Sequence, residues 1–498
     1  MEKGRAPSVY DLLAEQVAVH PYARALEDAT GAAWSYSDFD NAVRALAQVL
    51  KDNGVQQSDR VLCVSENCAS GVAALFATWV IGAVAVPVNA RQSSTEIDKI
   101  IAHAAPRVVL FTSSISTDAA QHAERFGAVP LTGVWGRLDA AQLSADSSTH
   151  GADVAVILYT TGTTGDPKGV MLTHANVRFG GATSATFRAM TPRDVIYGVL
   201  PATHVFGLCS IIVASVHAGA MVRLIPRFDV SAVFDGLRQG VTLFSGVPQM
   251  HAVLMAHARA LGLKALGSDT LRFVSSGAAP LDPTWKRKAE AFYGVAIQNG
   301  YGLTESTAGV AATHNLFGDP DTSVGPALPG VEVAIDAPGL DGVGEVLTRG
   351  PHVMKGYFCN RAATEQALSA DGWLRTGDLG RIDDQGRLHI VGRSKELIIH
   401  GGFNVYPPEV EAALNDHPDV VQAAVVGRQK DGDEEVLAFV QPASGSALKE
   451  DDLRTFVARR LAGYKRPAVY VFAEALPAAA TGKILKHKLI STFSDELD

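Results

Sequence analysis

The sequence predicts an α/β protein with a large N-terminal domain and a smaller C-terminal domain. Apolar, strand-like runs alternate with helical patterns from about residue 35 to residue 270, and segments 60–64, 106–111 and 153–159 are examples of such runs. This alternation is typical of largely parallel sheets that are covered by helices. Because 498 residues are too many for one compact core, more than one domain is expected.

Two changes of pattern divide the chain. Between about residues 330 and 392, short strands recur between Gly and Asp turns, which predicts a β-rich subdomain of the large domain. Beyond residue 393 the pattern becomes a mixture of helices and strands, in which Pro407–Pro408 opens a helix. We therefore predict a large N-terminal domain at 1–393 and a small α+β C-terminal domain at 394–498.

Composition and charge exclude several classes of protein. The formal net charge is −9, from 43 basic and 52 acidic residues, so nucleic acid is not an expected partner. The N-terminal segment has the pattern of a capped amphipathic helix rather than a signal peptide. The uncharged stretch 67–90 is interrupted by Gly82 and Pro87, which predicts a buried helix and strand and no membrane span. Four cysteines match no zinc or disulfide pattern and predict a reduced, cytoplasmic protein: Cys63, Cys68, Cys209 and Cys359.

The segment 159–169, Tyr-Thr-Thr-Gly-Thr-Thr-Gly-Asp-Pro-Lys-Gly, carries the strongest chemical signal. Its glycines let backbone N–H groups turn inward, its threonines add hydroxyl donors and Lys168 adds a cation, all of which suit a polyphosphate. It is not a Walker loop, because Lys168 follows a proline. The alternative is a polar surface turn, but a string of eleven residues with this pattern disfavours that alternative. The residues predicted to bind nucleotide phosphates are Thr160, Thr161, Gly162, Thr163, Thr164, Gly165 and Lys168.

This loop resembles the signature of the adenylate-forming superfamily, which contains acyl-CoA synthetases, luciferases and peptide-synthetase adenylation domains. Further motifs similar to those of the superfamily follow in order along nearly the whole chain, and together they are closest to acyl- or aryl-CoA ligases. The resemblance implies the adenylate-forming enzyme fold and a C-terminal domain that moves about a hinge at Lys395. It also implies ATP and Mg²⁺ as cofactors.

The resemblance assigns roles to two glycine-containing strand ends. Segment 275–281 is expected to lie along the adenine and the acyl pocket. In segment 300–306, Tyr301 is expected to stack on adenine, Thr304 to touch the α-phosphate and Glu305 to bind Mg²⁺, since a hard cation prefers carboxylate oxygen. The other nucleotide-binding residues that the two segments imply are Gly277, Ala278, Ala279, Asn299, Gly300 and Gly302.

Charged residues late in the chain complete the implied nucleotide site. By resemblance, Asp378 accepts the ribose hydroxyls and Arg393 contacts ribose or phosphate. Lys483 is expected to reach both the substrate carboxylate and the α-phosphate, where an ammonium group offsets the charge that two approaching anions build up. Without the resemblance, each would pass for a solvated surface charge. Gly401 and Gly402 match the segment that borders the coenzyme A tunnel, so coenzyme A is the expected co-substrate.

Segment 200–207 resembles the family segment in which a histidine lines the carboxylate end of the acyl pocket, and His204 is that residue here. A buried structural histidine is the alternative. The expected pocket segments carry no charge except that of Glu305, so we predict a monocarboxylate with an uncharged tail. Small side chains leave room for an aryl ring or a medium chain, and an aromatic or arylpropenoic acid is preferred. The predicted pocket residues are His204, Val205, Phe206, Gly207, Ser210, Gly277, Gly302 and Leu303.

The predicted function is an ATP-dependent carboxylate–CoA ligase of the AMP-forming type. Its predicted catalytic residues are Lys168, His204, Thr304, Glu305 and Lys483. Alternatives that stay open are a medium-chain fatty acyl-CoA synthetase, an enzyme that loads a carrier protein, a light-emitting oxidase and a catalytically silent nucleotide-binding protein. The sequence does not choose between a monomer and a homodimer.

Overall fold

The computed structural model describes residues 6–143, 153–161, 167–277, 281, 283–401, 403–430, 433–443, 445–478 and 484–497. Of Thr161 only the backbone is described. The α-helices are α1 (Tyr10–Val19), α2 (Tyr36–Asp52), α3 (Ala69–Ile81), α4 (Ser94–Ala104), α5 (Thr117–Arg125), α6 (His174–Phe187), α7 (Ala214–Ala218), α8 (Val230–Leu237), α9 (Pro248–Ala260), α10 (Pro283–Tyr293), α11 (Arg361–Ala367), α12 (Pro407–Asn415), α13 (Glu450–Ala458) and α14 (Lys486–Thr492).

The strands alternate with these helices in the first two-thirds of the chain, which confirms the predicted α/β class. They are β1 (Arg24–Asp28), β2 (Ala33–Ser35), β3 (Arg60–Ser65), β4 (Val84–Asn89), β5 (Val108–Phe111), β6 (Val129–Gly133), β7 (Gly136–Gln142), β8 (Val154–Thr161), β9 (Pro167–Thr173), β10 (Val195–Gly198), β11 (Met221–Leu224), β12 (Leu243–Gly246), β13 (Phe273–Gly277), β14 (Ile297–Tyr301), β15 (Ala311–Ala312), β16 (Glu332–Asp336), β17 (Gly344–Arg349), β18 (Gly356–Tyr357), β19 (Leu374–Ile382), β20 (Leu388–Arg393), β21 (Ile398–His400), β22 (Phe403–Val405), β23 (Val420–Lys430), β24 (Asp433–Pro442) and β25 (Val469–Phe472).

Two eight-stranded sheets form the body of the large domain. One has the order β15-β14-β13-β12-β10-β11-β1-β2, and the other has the order β18-β9-β8-β4-β3-β5-β7-β6. Their central strands run parallel, while hairpins such as β8–β9 add antiparallel pairs at the edges. Parallel strands need both faces covered, and helices α2 and α3 supply part of that cover.

The uncharged stretch near the N-terminus is buried inside this domain. It forms α3 and β4, as the sequence predicted, and the Trp79 side chain on α3 is fully buried. The indole N–H of Trp79 donates to the Ala155 carbonyl over 2.8 Å, so the helix is tied to β8 by a satisfied polar group. No helix among the described residues is long and apolar enough to cross a membrane.

Two smaller β-structures follow, as the sequence predicted. Strands β16, β17, β19 and β20 form an antiparallel four-stranded sheet. The last hundred residues form the hairpin β21–β22 and the three-stranded sheet β23-β24-β25. Helices α12, α13 and α14 lie in this part of the chain, and apolar residues of α12 and α13 pack with β23 and β24 in one buried cluster.

Candidate active site

A cleft of about 2700 Å³ lies between the strand ends of the large domain and the C-terminal helices α12 and α14. Strands β13 and β14 end in it, and ligands of open α/β sheets bind at such carboxyl ends. The sequence-predicted residues that line it are Thr160, Lys168, His204, Val205, Phe206, Gly207, Ser210, Gly277, Asn299, Gly300, Tyr301, Gly302, Leu303, Thr304, Glu305, Asp378, Arg393 and Lys395.

Several predicted residues cannot be placed in this cleft, because they lie outside the described residues. Their roles therefore stay predictions from the sequence. They are Gly162, Thr163, Thr164, Gly165, Ala278, Ala279, Gly402 and Lys483, together with the side chain of Thr161.

Asp378, Tyr301 and Arg393 form one group at the cleft, joined by a hydrogen bond and an ion pair. Strands β19 and β20 pair Asp378 directly with Arg393. The Arg393 Nε lies 3.2 Å from one Asp378 oxygen, and the Tyr301 hydroxyl donates to the other over 2.6 Å. Burial raises the pKa of Tyr301, and the Asp378 carboxylate raises it further, so Tyr301 stays a donor. A carboxylate with two oxygens beside an aromatic ring and a cation fits the ribose and base of ATP.

A second group in the cleft consists of Glu305 and Lys168, which both lie next to Tyr357. The sequence did not predict a role for Tyr357. The Tyr357 hydroxyl donates to Glu305 Oε1 over 2.9 Å, and Lys168 Nζ lies 5.1 Å from the centroid of the Tyr357 ring. Pairing of β18 with β9 brings Tyr357 close to Lys168, and no local motif around Tyr357 indicates this. Mg²⁺ is usually held by one or two carboxylates plus substrate phosphates. Glu305 beside Lys168 fits such a metal.

A tight turn positions Thr304 and Glu305. Residues Thr304–Ser306 form a 3₁₀ turn, and Thr307 and Ala308 follow it with φ of 50° and 81°. A Cβ at Gly302 would lie 1.8 Å from the Ala308 carbonyl oxygen, so the turn leaves no space for a side chain there. The backbone rather than the side chains therefore sets the direction of this segment.

His204 and Phe206 lie where the predicted acyl pocket begins. His204 is exposed, and its Nδ1 accepts a hydrogen bond from the Phe206 backbone N–H over 3.3 Å. Phe206 opens a π-helix, Phe206–Val213, a geometry frequent at functional sites. A Cβ at Gly277 would lie 3.1 Å from the Phe206 ring, so the glycine allows the ring to approach the sheet. The exposure of His204 argues against a buried structural histidine.

Arg188 adds a charge that the sequence analysis missed. It caps the end of α6, lines the same cleft, and its side chain contacts the π-helix, where Nη1 donates to the Ser210 carbonyl over 3.2 Å. Arg188 lies outside the segments that the sequence predicted to line the pocket. Those segments contain no cation, so they gave no indication of it. The sequence offers no signal for it, because an arginine at a helix end is usually solvated.

Two other predicted site residues, Asn299 and Gly401, form hydrogen bonds within the protein. The Asn299 side chain is 1 % exposed, and its amide donates to the Ser323 carbonyl over 3.0 Å. A contact from that amide to the base of a nucleotide stays a prediction. Gly401 turns the β21–β22 hairpin with φ of 59°, and its N–H donates to Asp433 Oδ2 over 2.9 Å.

The predicted hinge lies beside a bridge of three charges. Lys395 is in the 3₁₀ turn Ser394–Glu396, between β20 and β21. Lys486 Nζ lies 3.0 Å from Glu396 in that turn and 2.8 Å from Glu411 on α12. Burial lowers the pKa of Lys486, but Glu411 and Glu396 outweigh it and raise the pKa above its ordinary value. The bridge therefore fixes the turn Ser394–Glu396 against α12 and α14 within the predicted C-terminal domain.

Comparison with known proteins agrees with this arrangement. The chain is 34% identical over 483 residues to a feruloyl-CoA synthase from Amycolatopsis, a match that covers 95% of this chain and 96% of the relative. It is 31% identical over 494 residues to 4-coumarate–CoA ligase 3 from Oryza sativa subsp. japonica, covering 93% and 88% of the two chains. Both relatives are ligases that are named for coenzyme A thioesters.

A solved structure shares the fold over nearly the full length. It is the o-succinylbenzoate coenzyme A synthetase of Bacillus subtilis in complex with ATP and a magnesium ion, with a TM-score of 0.81 and 28% identity, covering 96% of this chain and 98% of that one. The family model for AMP-binding enzymes matches residues 13–358, and the model for their C-terminal domain matches residues 409–483. The fold and the cleft are those of an adenylate-forming enzyme. The chain belongs to the AMP-binding enzyme family.

Proposed function

We propose that this protein is an ATP-dependent CoA ligase for aromatic or arylpropenoic monocarboxylic acids. The observation that carries the proposal is that one cleft brings together two groups of residues suited to ATP and a pocket of small and apolar side chains. The first group is Asp378, Tyr301 and Arg393, and the second contains Lys168 and Glu305. The names of the two curated relatives support an arylpropenoic acid as the substrate.

The reaction proceeds in two steps. A carboxylate oxygen of the acid attacks the α-phosphorus of ATP, pyrophosphate leaves, and an acyl-adenylate forms. The thiol of coenzyme A then loses its proton and attacks the acyl carbon, and AMP leaves with the bonding electrons. A carboxylate is a poor electrophile, so the adenylate serves to supply a good leaving group. The enzyme contributes positioning and charge neutralisation.

Each group of residues has a task in this sequence. Asp378 orients the ribose, while Lys168 and Thr304 hold phosphate oxygens. Mg²⁺ would be held by Glu305 and would offset the charge of the phosphates. Lys483 is the proposed cation between the reacting anions. Rotation about Lys395 would exchange Lys483 for the Gly401–Gly402 segment, as lid and domain motions do in other enzymes.

A substrate panel tests the proposal. Purified protein with ATP, Mg²⁺ and coenzyme A should release pyrophosphate and form equal amounts of AMP and acyl-CoA with arylpropenoic acids. Benzoic acids, medium-chain fatty acids and a carrier protein in place of coenzyme A complete the panel. Lys483→Ala is the control: it should lose adenylation yet form thioester from supplied acyl-adenylate. Turnover confined to fatty acids, or thioester formed only on the carrier, would contradict the proposed substrate or acceptor.

A further inference from the structure

Arg188 is a buried cation whose charge has no anionic partner among the described residues. Its side chain is 7 % exposed, and no described carboxylate lies within ion-pair distance of it. Burying a charge without a counter-charge costs free energy, so such groups usually have a compensating ligand or partner. Burial lowers the pKa of Arg188 to about 10. At neutral pH the guanidinium therefore stays charged.

The hydrogen bonds of Arg188 leave part of the guanidinium unsatisfied. Its Nη1 donates to the backbone carbonyls of Ser184 and Ser210, over 3.3 and 3.2 Å. Its Nε is buried and has no hydrogen-bond partner in the part of the chain that the structure describes. A guanidinium has five N–H donors. The ring of Phe273 also lies beside the guanidinium, with its centroid 5.9 Å from Cζ.

The position of Arg188 relative to the proposed acyl pocket follows from the π-helix. His204 and Phe206 lie at its start, and Phe206 is next to Gly277. Ser210 lies about one helical turn further on, and its hydroxyl accepts from the Ser184 hydroxyl over 3.0 Å. Arg188 contacts the backbone of Ser210, and all three of Ser184, Arg188 and Ser210 line the cleft. The far end of a pocket that is small and apolar near Gly277 is therefore polar and cationic.

We propose that Arg188 determines specificity by donating a hydrogen bond to an uncharged oxygen, a hydroxyl or methoxyl group, on the ring of an aryl acid. The inference rests on the proposed function, since it takes an aryl substrate as given. Two backbone carbonyl oxygens already point at the guanidinium. Their negative ends offset part of its charge and disfavour a second carboxylate, whereas a ring oxygen needs only one donor.

Matched substrates and variants test this role. For the wild type, kcat/KM should be higher for an arylpropenoic acid with a para-hydroxyl group than for the same acid without it. Arg188→Met keeps the length of the side chain and removes its donors, so this preference should fall roughly tenfold or more, while kcat/KM for the unsubstituted acid changes little. Arg188→Lys restores a donor and should recover part of the preference.

The outcomes separate the specificity role from a structural one and from the proposed function. Thermal unfolding of each variant reports folding. If Arg188→Met does not fold, Arg188→Lys carries the test, and its preference for the para-hydroxyl acid should be smaller than that of the wild type. An equal loss of kcat/KM for the para-hydroxyl acid and for the unsubstituted acid, in either variant, would overturn the inference. So would a wild type that prefers an acid whose hydroxyl is replaced by a carboxylate. If no aryl acid is a substrate, the proposed function fails instead.

Discussion

At the residue scale, Asp378 is the residue of the cleft that is proposed to bind the ribose of ATP. It is 4 % exposed, accepts a hydrogen bond from the Tyr301 hydroxyl and forms an ion pair with the Arg393 guanidinium. A bond to a charged acceptor contributes about 1.5–3 kcal/mol, which corresponds to roughly 10- to 100-fold in affinity. Asp378→Asn should therefore raise KM for ATP by about that factor, while KM for the acid changes little, as measured by pyrophosphate release.

A control variant separates this effect from a general disturbance. Tyr301→Phe keeps the ring and removes only the hydrogen bond to Asp378, so its KM for ATP should rise less than that of Asp378→Asn. A larger effect of Tyr301→Phe would contradict a ribose-binding role for Asp378. It would indicate that the Tyr301 hydroxyl itself contacts the nucleotide.

Where a motif marks the position, the structure brings residues of the predicted site together, although their roles stay predictions. Asp378 lies 77 residues from Tyr301, yet the two are bonded, and each stands in a recognisable string. Tyr357 and Arg188 stand in no such string. Their relation to the cleft arises from the pairing of β18 with β9 and from the packing of the end of α6 against the π-helix. Such tertiary contacts are not visible in local sequence.

At the element scale, the turn after β14 sets where Thr304 and Glu305 point. Gly302→Ala would place a methyl group 1.8 Å from the Ala308 carbonyl oxygen, so the backbone must shift. Because misplacement of about 1 Å can cost roughly 100-fold in rate, we expect a loss of that order in adenylation, measured as acid-dependent pyrophosphate release.

Gly463→Ala is the matched control for this substitution. No atom of the described neighbours lies within 4 Å of the place that a methyl group on Gly463 would take, so alanine should be tolerated at wild-type activity. If Gly302→Ala adenylated at the wild-type rate, the turn would adapt to the methyl group without affecting the chemistry. The backbone would then not be what directs Thr304 and Glu305.

Elements with a strong apolar pattern were predictable, and short ones were not. Strand β3 and the pair α3–β4 lie where the sequence places them, because long buried runs have few alternative structures. The π-helix Phe206–Val213 was not predicted. Its sequence is apolar except for Ser210, and the wider turn depends on Gly207, where a Cβ would lie 2.1 Å from the Pro201 carbonyl oxygen.

At the scale of the whole molecule, the bridge from Lys486 to Glu396 and Glu411 connects the segment that follows the predicted hinge with α12 and α14. Partly exposed ion pairs contribute about 0.2–1 kcal/mol each, so the bridge restrains the backbone of this segment without locking it. Lys486→Met should make limited proteolysis between residues 393 and 407 roughly threefold faster. The control variant Lys488→Met, at an exposed position on the same helix, should be cleaved at the wild-type rate. Equal cleavage of both variants would exclude this role for the bridge.

Two of the tyrosines that line the cleft, Tyr301 and Tyr357, have a consequence for the approach of a nucleotide. A triphosphate is strongly anionic, and bare carboxylates at its destination would repel it over distances of several ångströms. Glu305 and Asp378 each accept a hydrogen bond from a phenol, that of Tyr357 and that of Tyr301 respectively. These dipoles reduce the negative potential that an incoming triphosphate meets, so the two carboxylates, which are proposed to hold a metal and the ribose, do not form a barrier at the entrance.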